Sequence, residues 1–267
     1  MLVYRRPARG LLYINRLFKI PGLQPGIPGL TLDHFLFDSM HTIELGILAY
    51  LFGRVLWALV AGGYFGTFTV DDYDEVNTGM EEHLKNWYKT NEIPWPERLP
   101  TITVSMLGPK DAPLCKIKAG KAKSLLPWIV ELLANSGGKE LLNQGPLGRE
   151  GTMLLRCAQG ISEFFAVLKR EPRRLPEHAF PQLDAATKKA VDGWEKSGNG
   201  GAMKWHVFAQ HLVDQMKFAG NCTWTHNYSD ESENFSTRKR GNFLYRPQFT
   251  ENFLSKWILR EVLPHAA

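Results

Sequence analysis

The chain has 267 residues, of which 44% are hydrophobic and 12% aromatic, so it can bury a substantial core and is not disordered as a whole. Its formal net charge of +5 permits a polyanionic partner without requiring one. The three cysteines, Cys115, Cys157 and Cys222, are far apart and form no CxxC pair. This spacing argues against a disulfide framework or a zinc knuckle and favours a reducing compartment.

Residues 1–30 are predicted to be an N-terminal extension. Arg16 and Lys19 interrupt the apolar run that a secretory signal would need, so we expect a nuclear or cytoplasmic protein that is not secreted. Residues 21–30, PGLQPGIPGL, are rich in proline and glycine and predict a loop. Residues 31–37, TLDHFLF, are short and mix β-branched and aromatic side chains, which predicts a strand at the start of one domain covering residues 31–267.

A long apolar helix is predicted directly after this strand. Asp38 or Ser39 can cap its N-terminus, and its apolar stripe contains Ile43, Ile47, Leu48, Leu51, Phe52, Val55, Leu56 and Leu59. Residues 43–66 are also long enough to span a membrane, but they include Glu44 and Arg54. A charge near the centre of a bilayer costs roughly 2.5–3.5 kcal/mol on insertion scales. We therefore expect a buried helix in a protein without a membrane span.

The chain from about residue 70 to residue 200 is predicted to be mostly helical. An amphipathic helix is predicted after the acidic segment 70–75 and extends through residue 88. Helical spacing also occurs over residues 121–134, 151–170 and 183–196. A flexible joint at 198–201 is followed by a further predicted helix over residues 203–219. Residues 93–113 carry five prolines and predict a loop, with one short strand at residues 101–104. The predicted fold is mainly α with a few short strands.

Asp38 and His41 lie three residues apart at the predicted junction of strand and helix. A carboxylate at a strand end can ligate a divalent metal, and a histidine one helical turn later faces the same side and can orient it or contact a phosphate. The same pair also has an ordinary structural interpretation. Asp is a common N-cap, and a histidine on the first turn of a helix usually has a structural role.

The segment FDSMHTIELGIL, residues 37–48, resembles the D-x-x-H and L-G segment of CACTA-like and related eukaryotic transposases. The resemblance implies an RNase H-like catalytic core with a DDE/D triad of carboxylates. It implies that Asp38 is a metal ligand at or beside the second catalytic position, and that His41 is a neighbouring active-site or DNA contact. The step from Leu45 to Gly46 agrees with the same pattern.

A second block of the chain is similar to the late block of the same transposases. KWHVFAQHL, residues 204–212, resembles their K-x-H-x-x-x-H helix, although His206 and His211 are five residues apart rather than four. A Gly-Asn turn at residues 220–221 follows, and the resemblance implies that a later acid supplies the last carboxylate: Glu231, with Asp230 and Glu233 as alternates. These acids could equally form the N-terminal turn of a last helical region.

Zinc is an alternative interpretation of this block, which contains His206, His211, Cys222 and His226. Residues five apart lie roughly 140° apart around an α-helix, so His206 and His211 are not expected to converge on one ion without distortion. The Cys-x3-His spacing is not a standard ligand pair either. A zinc site is therefore not expected.

A basic cluster near the C-terminus is a candidate contact for nucleic acid. Arg238, Lys239 and Arg240, with Arg246 close behind, are interleaved with Phe235, Phe243 and Tyr245. Such a combination can contact a phosphate backbone and stack on bases. A solvated surface and a nuclear-import signal are alternatives. Together with His206 and His211, Arg238, Lys239 and Arg240 are the predicted contacts to DNA, which is the expected partner; a homo-oligomer is also compatible with the sequence.

The resemblance implies phosphoryl transfer at DNA, in which carboxylates hold two Mg²⁺ or Mn²⁺ ions. In the family pattern the first catalytic Asp lies well before the D-x-x-H motif, and Asp33, the one acid upstream of Asp38, is too close to be that residue. We therefore expect a catalytically incomplete remnant with a partial RNase H-like α/β core, a helical insertion at about residues 70–200 and a C-terminal block at 201–267. The alternative is a non-catalytic module that binds nucleic acid or protein.

Overall fold

The computed structural model of the chain describes residues 37–68, 72–200 and 203–224. The chain divides into two units, Met1–Thr225 and His226–Ala267, and every described residue belongs to the first. The predicted strand at residues 31–37 therefore lies outside the described residues except for Phe37. The predicted C-terminal acids and the basic cluster lie outside them as well.

The described part of the chain is mainly helical, as the sequence predicts. Its longer helices are α1 (Met40–Ala61), α2 (Asp74–Thr90), α3 (Ala119–Ala134), α4 (Gly138–Asn143), α5 (Glu150–Arg170) and α6 (Ala179–Lys196). The last long helix, α7, runs through the successive stretches Met203–Val207, Phe208–Leu212 and Val213–Ala219. Short 3₁₀ turns occur at Trp95–Glu97, Val104–Leu107 and Cys222–Trp224. The first stretch of α1, Met40–Ile47, and the middle stretch of α7 are π-helical.

Helix α1 is the central element of the core. All eight side chains of its predicted apolar stripe are at most 1% exposed, and full burial of one such side chain contributes roughly 1.5–3 kcal/mol. α1 has the length and hydropathy of a membrane span, and 72% of its most apolar window is buried inside the protein. That burial is the property of a core helix, and it is compatible with the predicted absence of a membrane span.

Helices α5 and α6 approach each other closely through small residues. A Cβ atom at Gly160 would lie 2.5 Å from the backbone nitrogen of Ala190, and one at Gly193 would lie 2.6 Å from that of Cys157. Phe164 of α5 also meets Phe208 of α7, with the ring centroids 5.0 Å apart. Helix α7 therefore packs against the closely paired helices α5 and α6.

The prediction of a strand at residues 101–104 is wrong. Residues 101–103 have no regular secondary structure, and Val104 begins a 3₁₀ turn. The backbone N–H of Val104 is bonded to the Asn77 side chain at 2.8 Å instead of to a neighbouring strand. The flanking prolines lack the N–H donors that a ladder needs, and β-branched composition alone does not supply a partner strand.

Candidate functional site

Asp38 caps α1 and binds His41. Its Oδ1 accepts a hydrogen bond from the Met40 N–H at 3.0 Å, and its backbone carbonyl accepts one from the Thr42 N–H at 3.0 Å. Its other oxygen, Oδ2, contacts Nδ1 of His41. A carboxylate on one ring nitrogen fixes the tautomer and orientation of an imidazole. The described contacts of Asp38 are therefore those of a residue that stabilises the start of α1 and holds the His41 ring.

The residues around Asp38 pack against α7 and the turn that follows it. The side chain of Gln215 brackets the backbone of Phe37, accepting from its N–H at 2.6 Å and donating to its carbonyl at 3.1 Å. The Phe37 ring stacks on His211, with centroids 5.6 Å apart and planes 22° apart. Ser39 donates to the backbone carbonyl of Cys222 at 3.0 Å. Residues 37–39 are therefore in direct contact with α7 and with the turn at residues 220–224.

A buried turn holds this part of the chain in place. The Asn221 N–H donates to the carbonyl of Arg173 at 2.7 Å, and its side-chain amide donates to the carbonyl of Leu168 at 2.8 Å, both near the end of α5. Its Oδ1 accepts from the Thr223 backbone and hydroxyl at 3.1 and 2.7 Å. Gly220 has a φ of +83°, a conformation that favours glycine. The predicted Gly-Asn turn is therefore a structural anchor that presents the Cys222 carbonyl to Ser39.

His206 and His211 lie together on α7, contrary to the expectation from α-helical geometry. Their Nε2 atoms are 3.1 Å apart, and the ring centroids are 4.9 Å apart. The expectation assumed a regular α-helix, but Phe208–Leu212 is π-helical. Bonding from residue i to i+5 adds one residue to the turn and places residues five apart above one another. The π turn supplies the distortion that convergence requires.

Of the four ligands of the alternative zinc site, His206, His211 and Cys222 are among the described residues and His226 lies outside them. Among residues 37–68, 72–200 and 203–224, no group of three His, Cys, Asp or Glu side chains is arranged to hold a metal ion. Burial raises the pKa of the Cys222 thiol to about 12.

Glu44 is a candidate site residue that the sequence analysis did not identify. It is 6% exposed on the π-helical stretch of α1. Burial raises its pKa to about 7, an effect that Lys123 opposes and the charge of Asp38 reinforces. A buried acid that titrates near neutrality next to a second carboxylate is typical of functional sites. In the sequence, Glu44 is a single acid in an apolar helix, a pattern that argues against a membrane span but does not by itself indicate a site.

Lys204 reaches from α7 to the π-helical stretch of α1. Its ammonium group donates to the carbonyl of Leu45 at 3.3 Å, and partial burial lowers its pKa. Gly46 leaves the space for this side chain, because a Cβ at Gly46 would overlap Cδ of Lys204. The Leu45-Gly46 step and the lysine of the second block, both named from the resemblance, are therefore packing partners.

Further cations lie near the same end of α1. Leu45 and Ala49 line an open groove together with the segment 114–118, in which Lys116 and Lys118 are exposed. Lys123, on α3, lies near enough to Glu44 to affect its pKa. The sequence analysis did not single out these residues, although residues 116–123 contain four lysines in eight positions. This density of lysines is the feature of the sequence that indicates a cationic surface here.

The remaining predicted site residues lie outside the described part of the chain: Asp230, Glu231, Glu233, Arg238, Lys239, Arg240 and His226. Of the predicted carboxylate ligands for Mg²⁺ or Mn²⁺, Asp38 alone is among the described residues. No family model, curated protein or solved structure matches this chain.

Proposed function

We propose that this chain is part of a DDE-type, transposase-like protein and that it binds DNA around the N-terminus of α1. The observation that carries the proposal is the packing of Phe37 and Ser39 against α7 and its following turn. Two segments that resemble transposases independently in sequence meet at one place, as the parts of a single site must. The RNase H-like core that the resemblance implies is part of this proposal.

Asp38 and His41 are the chemical groups proposed for the site. Mg²⁺ or Mn²⁺ bound between Asp38 and further carboxylates would stabilise the charge that develops at a scissile phosphate. Hard oxygen ligands such as the carboxylate of Asp38 fit these ions. The Asp38 carboxylate also contacts Nδ1 of His41, and a carboxylate partner fixes the orientation of an imidazole ring. In its imidazolium form, in which both ring nitrogens donate, His41 would orient a bound phosphate through Nε2.

The cations near α1 support binding of a polyanion. Lys116 and Lys118 are exposed beside the groove that Leu45 lines, and Lys123 is exposed on α3. Each lysine that neutralises a DNA phosphate releases a condensed counterion, so binding weakens as salt rises. The proposed DNA surface consists of these three lysines with His41.

The binding proposal is tested with a fluorescently labelled DNA duplex over a range of salt concentrations. In the double variant Lys116→Gln/Lys118→Gln we expect weaker binding and a slope of log affinity against log salt that is shallower by about 1–2, since each lost phosphate contact removes about 0.9. The control is Lys85→Gln/Lys89→Gln on α2, which removes the same charge at two exposed positions. Equal effects of the two double variants, or no binding by the wild type, would contradict the proposed surface.

Asp38→Ala separates a catalytic from a non-catalytic site. We expect DNA binding to survive this substitution, because Asp38 contributes a metal ligand and not a cation. We expect no strand transfer by the chain alone, and the assay is nicking of plasmid DNA with Mg²⁺ or Mn²⁺. Nicking by the wild type that Asp38→Ala abolishes would instead show a complete active site. Binding without any nicking agrees with the non-catalytic nucleic-acid module.

A further inference from the structure

The histidine pair on α7 has the geometry of a metal chelate. The Nε2 atoms of His206 and His211 are 3.1 Å apart. Bonds of about 2.0–2.1 Å from one ion to two imidazole nitrogens place those nitrogens about 2.9–3.4 Å apart for angles between octahedral and tetrahedral. The observed separation falls inside this range. The separation of the two nitrogens is therefore the one that a single ion bound to both rings requires.

The π-helical backbone of α7, held by packing in the core, provides this geometry. Residues five apart do not share a face of a regular α-helix, and the π-helical stretch Phe208–Leu212 is what brings the two rings together. π turns are rare and are frequently found at functional sites. The neighbouring side chains Phe208 and Leu212 are fully buried, so the core fixes this backbone.

The surroundings of the pair hold one ring in place and leave both rings accessible. The His211 ring stacks on Phe37, which fixes its plane. Both histidines are exposed, so an ion can reach them from solvent.

We propose that His206 and His211 bind one divalent transition-metal ion, with water or a bound ligand at its other coordination positions. Imidazole favours Cu²⁺, Ni²⁺ and Zn²⁺ over Mg²⁺ and Ca²⁺. The site differs in chemistry from the carboxylate site proposed at Asp38, and it does not depend on DNA binding. Because both ligands lie on one turn of α7, a bound ion would also stabilise the π-helical stretch.

The experiment is calorimetric titration of the full chain with Cu²⁺, Ni²⁺ and Co²⁺, with Mg²⁺ in excess. We expect one high-affinity ion per chain, affinity in the order Cu²⁺ above Ni²⁺ above Co²⁺, and no competition by Mg²⁺. His206→Ala and His211→Ala should each weaken Ni²⁺ binding at least about tenfold. Removal of a residue that only supports a metal ligand already costs about that much affinity, and these variants remove a ligand itself. His178→Ala is the matched control at an exposed histidine.

A second measurement keeps the test independent of folding. His206→Gln preserves an exposed polar side chain, and its circular dichroism should match that of the wild type while Ni²⁺ affinity still falls. In the wild type, Cu²⁺ should broaden the ring signals of Phe37 in NMR spectra, because that ring stacks on His211. Unchanged affinity in His206→Gln, an equal loss in His178→Ala, or unaffected Phe37 signals would overturn the proposal.

Discussion

At the scale of single residues, burial strongly changes the ionisation of Glu44, whose pKa is also affected by the charge of Asp38. Burial raises its pKa from 4.5 to about 7. The folded protein therefore binds more protons than the unfolded chain between these two pH values, and the stability that Glu44 contributes is lost as the pH rises through this window. Above the window, the charged carboxylate destabilises the fold relative to a neutral side chain.

Glu44→Gln should consequently stabilise the protein at pH 8 and change little at pH 4.5. A shift of this size corresponds to at most about 3 kcal/mol in the free energy of unfolding. Urea unfolding at a series of pH values measures the difference between the variant and the wild type. Glu82→Gln, an exposed position on α2, is the control. A difference between Glu44→Gln and the wild type that does not grow with pH would contradict the raised pKa.

At the scale of secondary-structure elements, α1 and α7 are joined where Lys204 lies over Gly46. In Gly46→Ala, the new Cβ would overlap Lys204 and lie 2.9 Å from the carbonyl of His41. Lys204 would then lose its bond to Leu45, and we expect a loss of about 1–3 kcal/mol in stability, the usual cost of overpacking. Gly→Ala in a helix otherwise stabilises by roughly 0.5–1 kcal/mol, so the sign of the change is diagnostic.

A double-mutant cycle isolates this contact. Thermal unfolding of Gly46→Ala, Lys204→Ala and the double variant gives the interaction energy, and the double variant should be more stable than the sum of the single effects predicts. Gly200→Ala is the control glycine, because a Cβ there meets no atom within 4 Å. Additive effects of the two substitutions would mean that Lys204 and Gly46 do not constrain each other.

Helix periodicity predicted most of the elements but not the arrangement of the site. The apolar stripe of α1 and the ranges of α3, α5 and α7 follow from spacing, because a buried helix face repeats every three to four residues. The π-helical stretch of α7 does not follow from spacing. Tertiary packing stabilises the inserted residue of a π turn, and a single sequence does not show that packing. The convergence of His206 with His211, the burial of Glu44 and the contact of Phe37 with α7 all depend on such long-range packing.

At the scale of the whole molecule, α1 could be either the core of a folded domain or a membrane anchor, and Arg54 discriminates between them. Arg54 pairs with Glu150 at 2.7 Å and joins α1 to α5, and Glu150 is only 8% exposed. A charge on the helix opposes insertion into a bilayer. If α1 is a core helix, removal of this charge costs stability, because it leaves the Glu150 carboxylate without its partner.

Arg54→Leu should therefore lower the stability of the protein by about 1–3 kcal/mol, the cost of an unsatisfied buried polar group. A membrane anchor would respond in the opposite direction, since the substitution removes the charge nearest the middle of α1. The measurements are thermal unfolding and flotation with lipid vesicles, which separates membrane binding from aggregation. Arg54→Lys, which keeps the charge, should recover part of the stability. Flotation of the wild type that increases in Arg54→Leu would show that α1 enters the bilayer instead of packing against α5.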